Sequence, residues 1–260
     1  MIIKKTPAEI EKMRVAGVAV ARCLKDITER IVPGKTTTLD IDKMAEELIS
    51  KYGGVSSFKN YRGYPNTVCV AVNEEVVHGI PGPRVLMPGD LLGIDLGIII
   101  DGWHGDAAIT IMVGDKASEE AKRLLRVTKE ALFKGIEQAR PGNRLSDISH
   151  AIQSHVERNG FSVVRELVGH GIGRSLHEEP NVPNYGRPGR GVRLEEGMTL
   201  AIEPMVNAGS HEVETLADNW TVVTKDRSLS AHFEHTVAIR KDGPDILTLI
   251  PAEEAVAISG

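Results

Sequence analysis

Cysteine is nearly missing: Cys23 and Cys69 are the only two in 260 residues. That excludes a disulfide framework and fits a reducing compartment. The opening residues, Met1-Ile2-Ile3-Lys4-Lys5-Thr6, lack the apolar core of a secretory signal. No run of about 18 apolar residues occurs, which excludes a membrane-spanning helix; Asp95 and Asp101 interrupt the most apolar stretch. There is no basic excess either. A net charge of −5 gives no global attraction to nucleic acid, so DNA is not an expected partner. No Pro- or Ser-rich tether divides the chain. What remains is a cytoplasmic globular protein, and a hydrophobic content of 41% is ample for its core.

Within that core-forming sequence, one stretch is unusual. Leu91 to Ile100 and Trp103 to Val113 are apolar, β-branched runs flanking Asp101-Gly102, a strong signal for a two-residue hairpin turn. With that turn, Asp95 faces Ala108 and Asp106 faces Gly97. Period-two alternation puts all four on one face, and the two acids become diagonal neighbours, about 7–8 Å apart or less. Carboxylates in strands this apolar would tend to protonate unless something compensates them. A bound cation would hold both ionised; a salt-bridged hairpin is the plainer alternative. The small residues Gly97, Gly105, Ala107 and Ala108 are expected to leave room for ions and a substrate.

The chain repeats itself. A capped helix from Thr6-Pro7 stops at Pro33-Gly34, and a second runs from about Leu39 to Tyr52. Ser118 then opens a helix to about Ala139, Pro141-Gly142 breaks it, and another runs from about Leu145 to Asn159. Pro33-Gly34 and Pro141-Gly142 are 108 residues apart, and Leu86-x-x-Gly89 with Ile94-Asp95 recurs at the same offset as Leu194-x-x-Gly197 with Ile202-Glu203. A shared offset argues for internal duplication. The second half should then carry its own acid pair: Glu203 and, as its natural partner, Glu234. These are 31 residues apart rather than 11, so the second half has an insertion. The reading is one α/β domain of two related halves, about 1–113 and 114–260, with a central, mostly antiparallel sheet and helices outside. The stretch from Glu178 to Arg193, rich in Pro, Gly and Asn, reads as one irregular loop beside the site.

His170 lies in Gly169-His170-Gly171-Ile172-Gly173, bare surroundings that suit a metal ligand. A phosphate-cradling glycine loop, after a strand expected over Ser162–Val168, fails because Pro180, Pro183 and Pro188 forbid the helix it needs. Asp95, Asp106, Glu203, Glu234 and one histidine would make hard oxygen donors plus one imidazole. That set suits two divalent ions of Co, Mn, Fe or Zn. If the imidazole is His170, it must be neutral to ligate, so affinity should weaken as pH falls toward about 6.5. Cys69, in an alternating run, reads as a buried thiol rather than a nucleophile. His104 and His232, two residues before a proposed ligand acid, could support one from behind. Arg187, Arg190 and Arg193 make a small basic loop, either solvated or an RNA or ribosome contact.

The motifs together resemble the bacterial, type I methionine aminopeptidases almost from end to end. They are Tyr61-Arg62-Gly63-Tyr64-Pro65, Cys69, Asn73-Glu74 through His78-Gly79, the Asp95 and Asp106 hairpin, Gly169 to Gly173, Ile202-Glu203-Pro204-Met205 and His232-Phe233-Glu234-His235. The resemblance implies the pseudo-twofold "pita-bread" fold of creatinase and the aminopeptidases, and a dinuclear site of Asp95, Asp106, His170, Glu203 and Glu234. It also implies that His78 and His177 contact the substrate, and that Tyr61, Tyr64, Cys69, Leu176 and Trp220 line a methionine pocket. Many members carry an aromatic residue where this chain has Leu176, which implies a looser pocket.

The expected activity is removal of the N-terminal methionine from nascent polypeptides by metal-activated water, with Glu203 moving the proton, in a monomer that contacts no membrane. An Xaa-Pro aminopeptidase or prolidase-like enzyme would use the same fold and ligands, usually behind a long N-terminal domain. A non-enzymatic binding protein on this fold would typically have lost ligands, and all five are here.

Overall fold

Residues 1–251 are described by a computed structural model, and the four α-helices among them begin where capping chemistry puts them. At α1 (Pro7–Arg30) the Thr6 hydroxyl accepts the Glu9 N–H while the Glu9 carboxylate accepts the Thr6 N–H, with Pro at the first helical position. Thr37 and Asp40 repeat this box for α2 (Thr38–Lys51). Ser118 caps α3 (Glu119–Gln138), and Asp147 accepts the Arg144 N–H at the start of α4 (Leu145–Arg158). The ends of α2, α3 and α4 lie within one residue of the sequence expectation.

The 108-residue recurrence reappears as hydrogen bonds. Gly34 N–H donates to the Leu86 carbonyl at 2.7 Å, and Gly142 N–H donates to the Leu194 carbonyl at 3.0 Å. Gly89 N–H reaches Val113 at 2.8 Å, and Gly197 N–H reaches Ile239 at 2.9 Å. All four glycines have positive φ, a conformation that costs a side-chain-bearing residue strain.

The hairpin forms with the expected register. Leu91–Ile100 pairs antiparallel with Trp103–Met112, from Leu91 opposite Met112 to Ile100 opposite Trp103. Asp101 and Gly102 both have positive φ, 50° and 74°, as a type I′ turn requires. In the second half, Thr199–Ile202 pairs with His235–Arg240 and Met205–Asn207 with Ser230–His232. All pairings among the described strands are antiparallel, but they fall into four sheets of four, three, three and five strands rather than one central sheet. One break has a simple cause: Pro204, between the two second-half strands, has no N–H to give the ladder.

Two further expectations need correction. The strand expected over Ser162–Val168 covers only Ser162–Val163, after which Val164 N–H bonds the Met205 carbonyl. The stretch from Glu178 is not loop throughout; Glu178–Val182 is a strand paired with Gly169–Gly171 at the edge of the five-stranded sheet. An edge position is where a strand can tolerate Pro180.

Two apolar bodies flank the seam between the halves. One gathers α1, α2 and the hairpin around Val20, Leu24, Ile41, Leu48, Leu92 and Leu96; the other gathers α3, α4 and the second strand set around Leu124, Leu132, Ile148, Ile152, Leu200 and Val237. Each such side chain contributes about 1.5–3 kcal/mol relative to exposure. A third cluster, including Ile10, Met13, Phe58, Tyr64, Cys69, Ile172 and Leu176, lies beside the site. No helix among the described residues is long and apolar enough to cross a membrane.

Candidate metal centre and active site

The seam between the halves brings the four acids together. Asp95 pairs with Ala108, Asp106 with Gly97, and Cys69 with Asp95 on the strand's other edge. The pairs Ile202–His235 and Met205–His232 keep one register, which sets Glu203 directly opposite Glu234. The correspondence expected from the 108-residue offset is not followed residue by residue here. Asp95 maps onto Glu203, but the position matching Asp106 holds His232, and Glu234 matches Ala108. Two threonines staple the halves. Thr236 Oγ1 accepts the Asp106 N–H at 3.0 Å and donates to the Asp106 carbonyl at 2.8 Å. Thr110 Oγ1 accepts the His232 N–H at 2.9 Å and donates to its carbonyl at 2.7 Å. Glu234 N–H adds a bond to Ala108 O at 2.9 Å.

His170 completes the group from the Gly169–Gly171 strand. Its Nδ1 lies 2.9 Å from the Gly171 carbonyl, which can only accept, so Nδ1 carries the proton and Nε2 presents a lone pair. Nε2 lies 3.6 Å from Glu203 Oε1 and 4.0 Å from Asp106 Oδ2. Ligand atoms of Asp106, His170 and Glu234 all lie within 4.8 Å of one another. The buried atoms Asp95 Oδ1, Asp106 Oδ1 and Glu234 Oε1 have no hydrogen-bond partner. Buried acceptors without donors are costly unless a cation takes the donors' place. Hard carboxylate oxygens with one imidazole nitrogen suit divalent transition ions.

Electrostatics agree with this chemistry. Without a cation, burial pushes Asp95 up to about 7 and Glu203 up to about 8. Burial, then mutual repulsion, pushes Asp106 and Glu234 well above the usual carboxylate range. Burial pushes His170 down to about 3. Protons therefore compete with metal at the carboxylates rather than at His170, and affinity should weaken on acidification through about 8 to 7, not at 6.5.

The raised carboxyls also make the metal-free fold sensitive to pH. Between the ordinary carboxyl range near 4 and the raised values, the folded state holds protons that the unfolded chain has released. Stability is then fully present below the unfolded value near 4 and is lost progressively as pH rises from there through about 7 to 8. The melting temperature of chelated protein is expected to fall from pH 5 to pH 9, while the metal-loaded form changes less. A chelated melting temperature that climbs over that range would contradict it.

The small residues of the hairpin have another use than the one expected. A Cβ at Gly97 would lie 2.7 Å from Ser57 Cβ and 2.8 Å from Phe58, and one at Gly105 would lie 2.6 Å from Gly17 N. Gly97 admits the segment that walls the site, and Gly105 lets α1 lie directly on the hairpin.

One cavity of about 360 Å³ takes in all twelve residues expected at the site: Tyr61, Tyr64, Cys69, His78, Asp95, Asp106, His170, Leu176, His177, Glu203, Trp220 and Glu234. His177 Nδ1 lies 2.7 Å from the Tyr61 hydroxyl, and its ring is 4.3 Å from that of His170. Burial, then the charge of Arg62, pushes His177 down to about 4. His78 sits at φ 59°, and burial pushes it also to about 4. Trp220 packs edge-on against Tyr64 at 5.1 Å and His78 at 6.5 Å; Asp218 fixes its backbone by accepting the Trp220 main-chain N–H. Cys69 is buried, and its thiol is pushed well up by burial, which removes the thiolate a nucleophile needs.

His232 Nε2 lies 3.6 Å from Glu203 Oε2, beyond hydrogen-bond range, whereas His104 turns away to bond Ser57 Oγ at 2.9 Å. Phe58, Arg62, Glu166, Asn181 and Met205 also line the cavity without having been singled out as site residues. Arg62 and Met205 lie within the motifs Tyr61–Pro65 and Ile202–Met205, which is a signal for them; Phe58, Glu166 and Asn181 carry none in the sequence. Asn184, buried, donates to the Glu203 carbonyl at 3.0 Å from a loop with no motif.

Residues 11–241 match the model of metallopeptidase family M24. The chain is 56% identical over 250 residues to methionine aminopeptidase 1 of Bacillus subtilis, covering 96% of this chain and all of that one. It is 47% identical over 247 residues to the methionine aminopeptidase of Escherichia coli, covering 94% and 93%. The crystal structure of methionine aminopeptidase from Thermotoga maritima superposes with a TM-score of 0.93 at 51% identity, over 95% of this chain and 99% of that one. A prolidase from Pyrococcus horikoshii reaches 0.78 at 24% identity and is covered over only 65% of its length, a likeness of fold alone.

Proposed function

This chain belongs to metallopeptidase family M24, in its methionine aminopeptidase branch, and on that premise we propose that it uses the cavity at the seam to release methionine from the N-termini of nascent polypeptides. The observation that carries this reading is the meeting of three partnerless carboxylate oxygens with an apolar pocket on one cavity wall. We take the whole chain as one catalytic unit of two related halves.

Asp95, Asp106, His170, Glu203 and Glu234 would hold two divalent ions, of Co, Mn, Fe or Zn. Bound there, such ions would supply Lewis acidity toward the scissile carbonyl and lower the pKa of water. The chain's own residues do the rest. Tyr64, Cys69, Leu176 and Trp220 exclude water around the methionine side chain. With the Tyr61 hydroxyl donating to Nδ1, neutral His177 keeps its proton on Nε2 and donates it toward charge developing on the carbonyl. His78, braced by Trp220, faces the leaving amide. Glu203 accepts the proton released by the attacking water. The enzyme would act as a cytoplasmic monomer, and the exposed Arg187, Arg190 and Arg193 loop would be its ribosome contact.

The test is cleavage of Met-Ala-Ser against an Ala-Pro peptide, using metal-stripped protein reloaded with Mn, Fe, Co or Zn. Release of methionine only after reloading supports the reading. Release of alanine from Ala-Pro with none from Met-Ala-Ser would turn it toward the prolidase class.

Leu176 tests the pocket. A ring here would add a wall against the thioether, a contact worth roughly 0.3–1.5 kcal/mol, and would shrink the space for branched side chains. Fit at the scale of a methylene is worth only about 1–3 kcal/mol. Leu176→Phe is therefore expected to raise kcat/KM for Met-Ala-Ser over Leu-Ala-Ser by a few-fold. An unchanged ratio would leave pocket selectivity to Tyr61, Tyr64, Cys69 and Trp220.

A further inference from the structure

A buried ion pair from near the N-terminus fastens the segment that carries His177. Lys5 lies just before α1 with its side chain 2% exposed, and the Glu178 side chain is 7% exposed. Lys5 Nζ sits 2.5 Å from Glu178 Oε2 and donates to the Ile3 carbonyl at 3.0 Å. The other carboxylate oxygen, Oε1, accepts the N–H groups of Arg174 at 2.9 Å and Ser175 at 3.3 Å. One carboxylate thus ties both ends of the turn that holds Leu176 and His177. Glycine at 173 makes the packing possible, since a Cβ there would lie 2.5 Å from Lys5 Cε and 2.6 Å from Glu178 Oε1. Lys5 is itself held: its N–H bonds the Gly197 carbonyl at 2.7 Å, and Lys4 pairs with Glu195.

Burial indicates what this pair does. A dry ion pair carries a desolvation cost that apolar replacements would avoid, so stability alone is a weak reason for it. What it supplies is direction. Glu178 opens the strand Glu178–Val182, where neighbouring side chains point to opposite faces. His177 is the bend residue just before this strand, so holding Glu178 fixes the chain from which the His177 ring reaches Tyr61 and His170. Lys5 does not line the cavity.

We propose that Lys5 is a positioning residue for His177: through Glu178 it sets the placement of that imidazole over the substrate. This rests on the role given to His177 above. Misplacing a group by about 1 Å can cost up to about 10²-fold in rate, and here Tyr61 still holds the ring.

Lys5→Met keeps the side chain's length and removes its charge. In the metal-loaded enzyme, kcat for Met-Ala-Ser is expected to fall about tenfold with KM and metal content little changed. In a His177→Ala background the same substitution should cost less than about twofold, because no ring is left to place. Amide exchange gives a readout that does not depend on turnover: protection at Arg174 and Ser175 should drop about tenfold in Lys5→Met. The double variant Lys5→Met/Glu178→Leu removes both buried charges and guards against a folding defect. It should melt at least as high as the parent yet keep the kcat deficit. Parental kcat in either variant, or an equal loss with and without His177, overturns the proposal. If the unaltered enzyme releases no methionine, the reading of the site fails instead; unchanged exchange at Arg174 and Ser175 in Lys5→Met refutes this inference alone.

Discussion

Glu203→Ala is expected to remain folded while losing turnover by about 10³–10⁴-fold, the upper part of the range for loss of a general base. Its oxygens lie 3.6 Å from His170 Nε2 and His232 Nε2, and on the roles proposed above the substitution would remove a metal ligand and a proton acceptor together. The same change should make the metal-free protein more stable. Four acids face one cavity, and burial alone raises Glu203 from its ordinary value to about 8, a penalty on the order of a few kcal/mol once the group ionises. Melting the chelated variant and parent at about pH 8.5 checks this, beside kcat and metal per chain for the reloaded proteins. Chelation of the parent should itself abolish activity. Full activity with metal absence confirmed by elemental analysis, or a chelated variant that melts below the chelated parent, would refute this account.

His177→Ala should lower kcat by about 10²–10³-fold while KM changes little and metal content stays intact. The ring touches His170 and bonds Tyr61, but it is not among the residues whose ligand atoms cluster for a metal. Burial, then the charge of Arg62, lowers its pKa to about 4 and keeps the ring neutral, so the donation proposed for it would not require it first to acquire a proton. A donor aimed at charge that develops only in the transition state contributes to kcat rather than to ground-state binding. Single-turnover kinetics with metal analysis decide the matter: lost metal would make His177 a ligand, and a rise in KM alone would make it a binding residue.

Much of this protein was determined by sequence periods that act over a few residues. Thr6 with Glu9, and Thr37 with Asp40, start helices because a cap and its box partner are three residues apart by the geometry of one turn. Asp101-Gly102 sets the hairpin register because few residues adopt positive φ twice in succession, and parity then aligns Asp95 with Asp106. The 108-residue offset located Glu203, and the motif around Phe233 located Glu234. The proposed methionine pocket and the roles proposed for His78 and His177 come only through resemblance, since no spacing within the chain encodes them.

Tertiary structure decided what lies across the seam. The duplication suggested that Glu234 repeats Asp106, yet the register makes His232 the counterpart and sets Glu234 opposite Glu203. Gly97 and Gly105 read locally as room for a ligand, but the room is taken by Ser57, Phe58 and α1. His177 meets a tyrosine 116 residues away, and its neighbour Glu178 meets a lysine 173 residues away. The pKa expected of His170 moved from about 6.5 to about 3 for the same reason. Local pattern specifies which face of an element turns inward; which faces meet, and how dry the space between them becomes, is set by packing two halves whose contacts have no period along the chain.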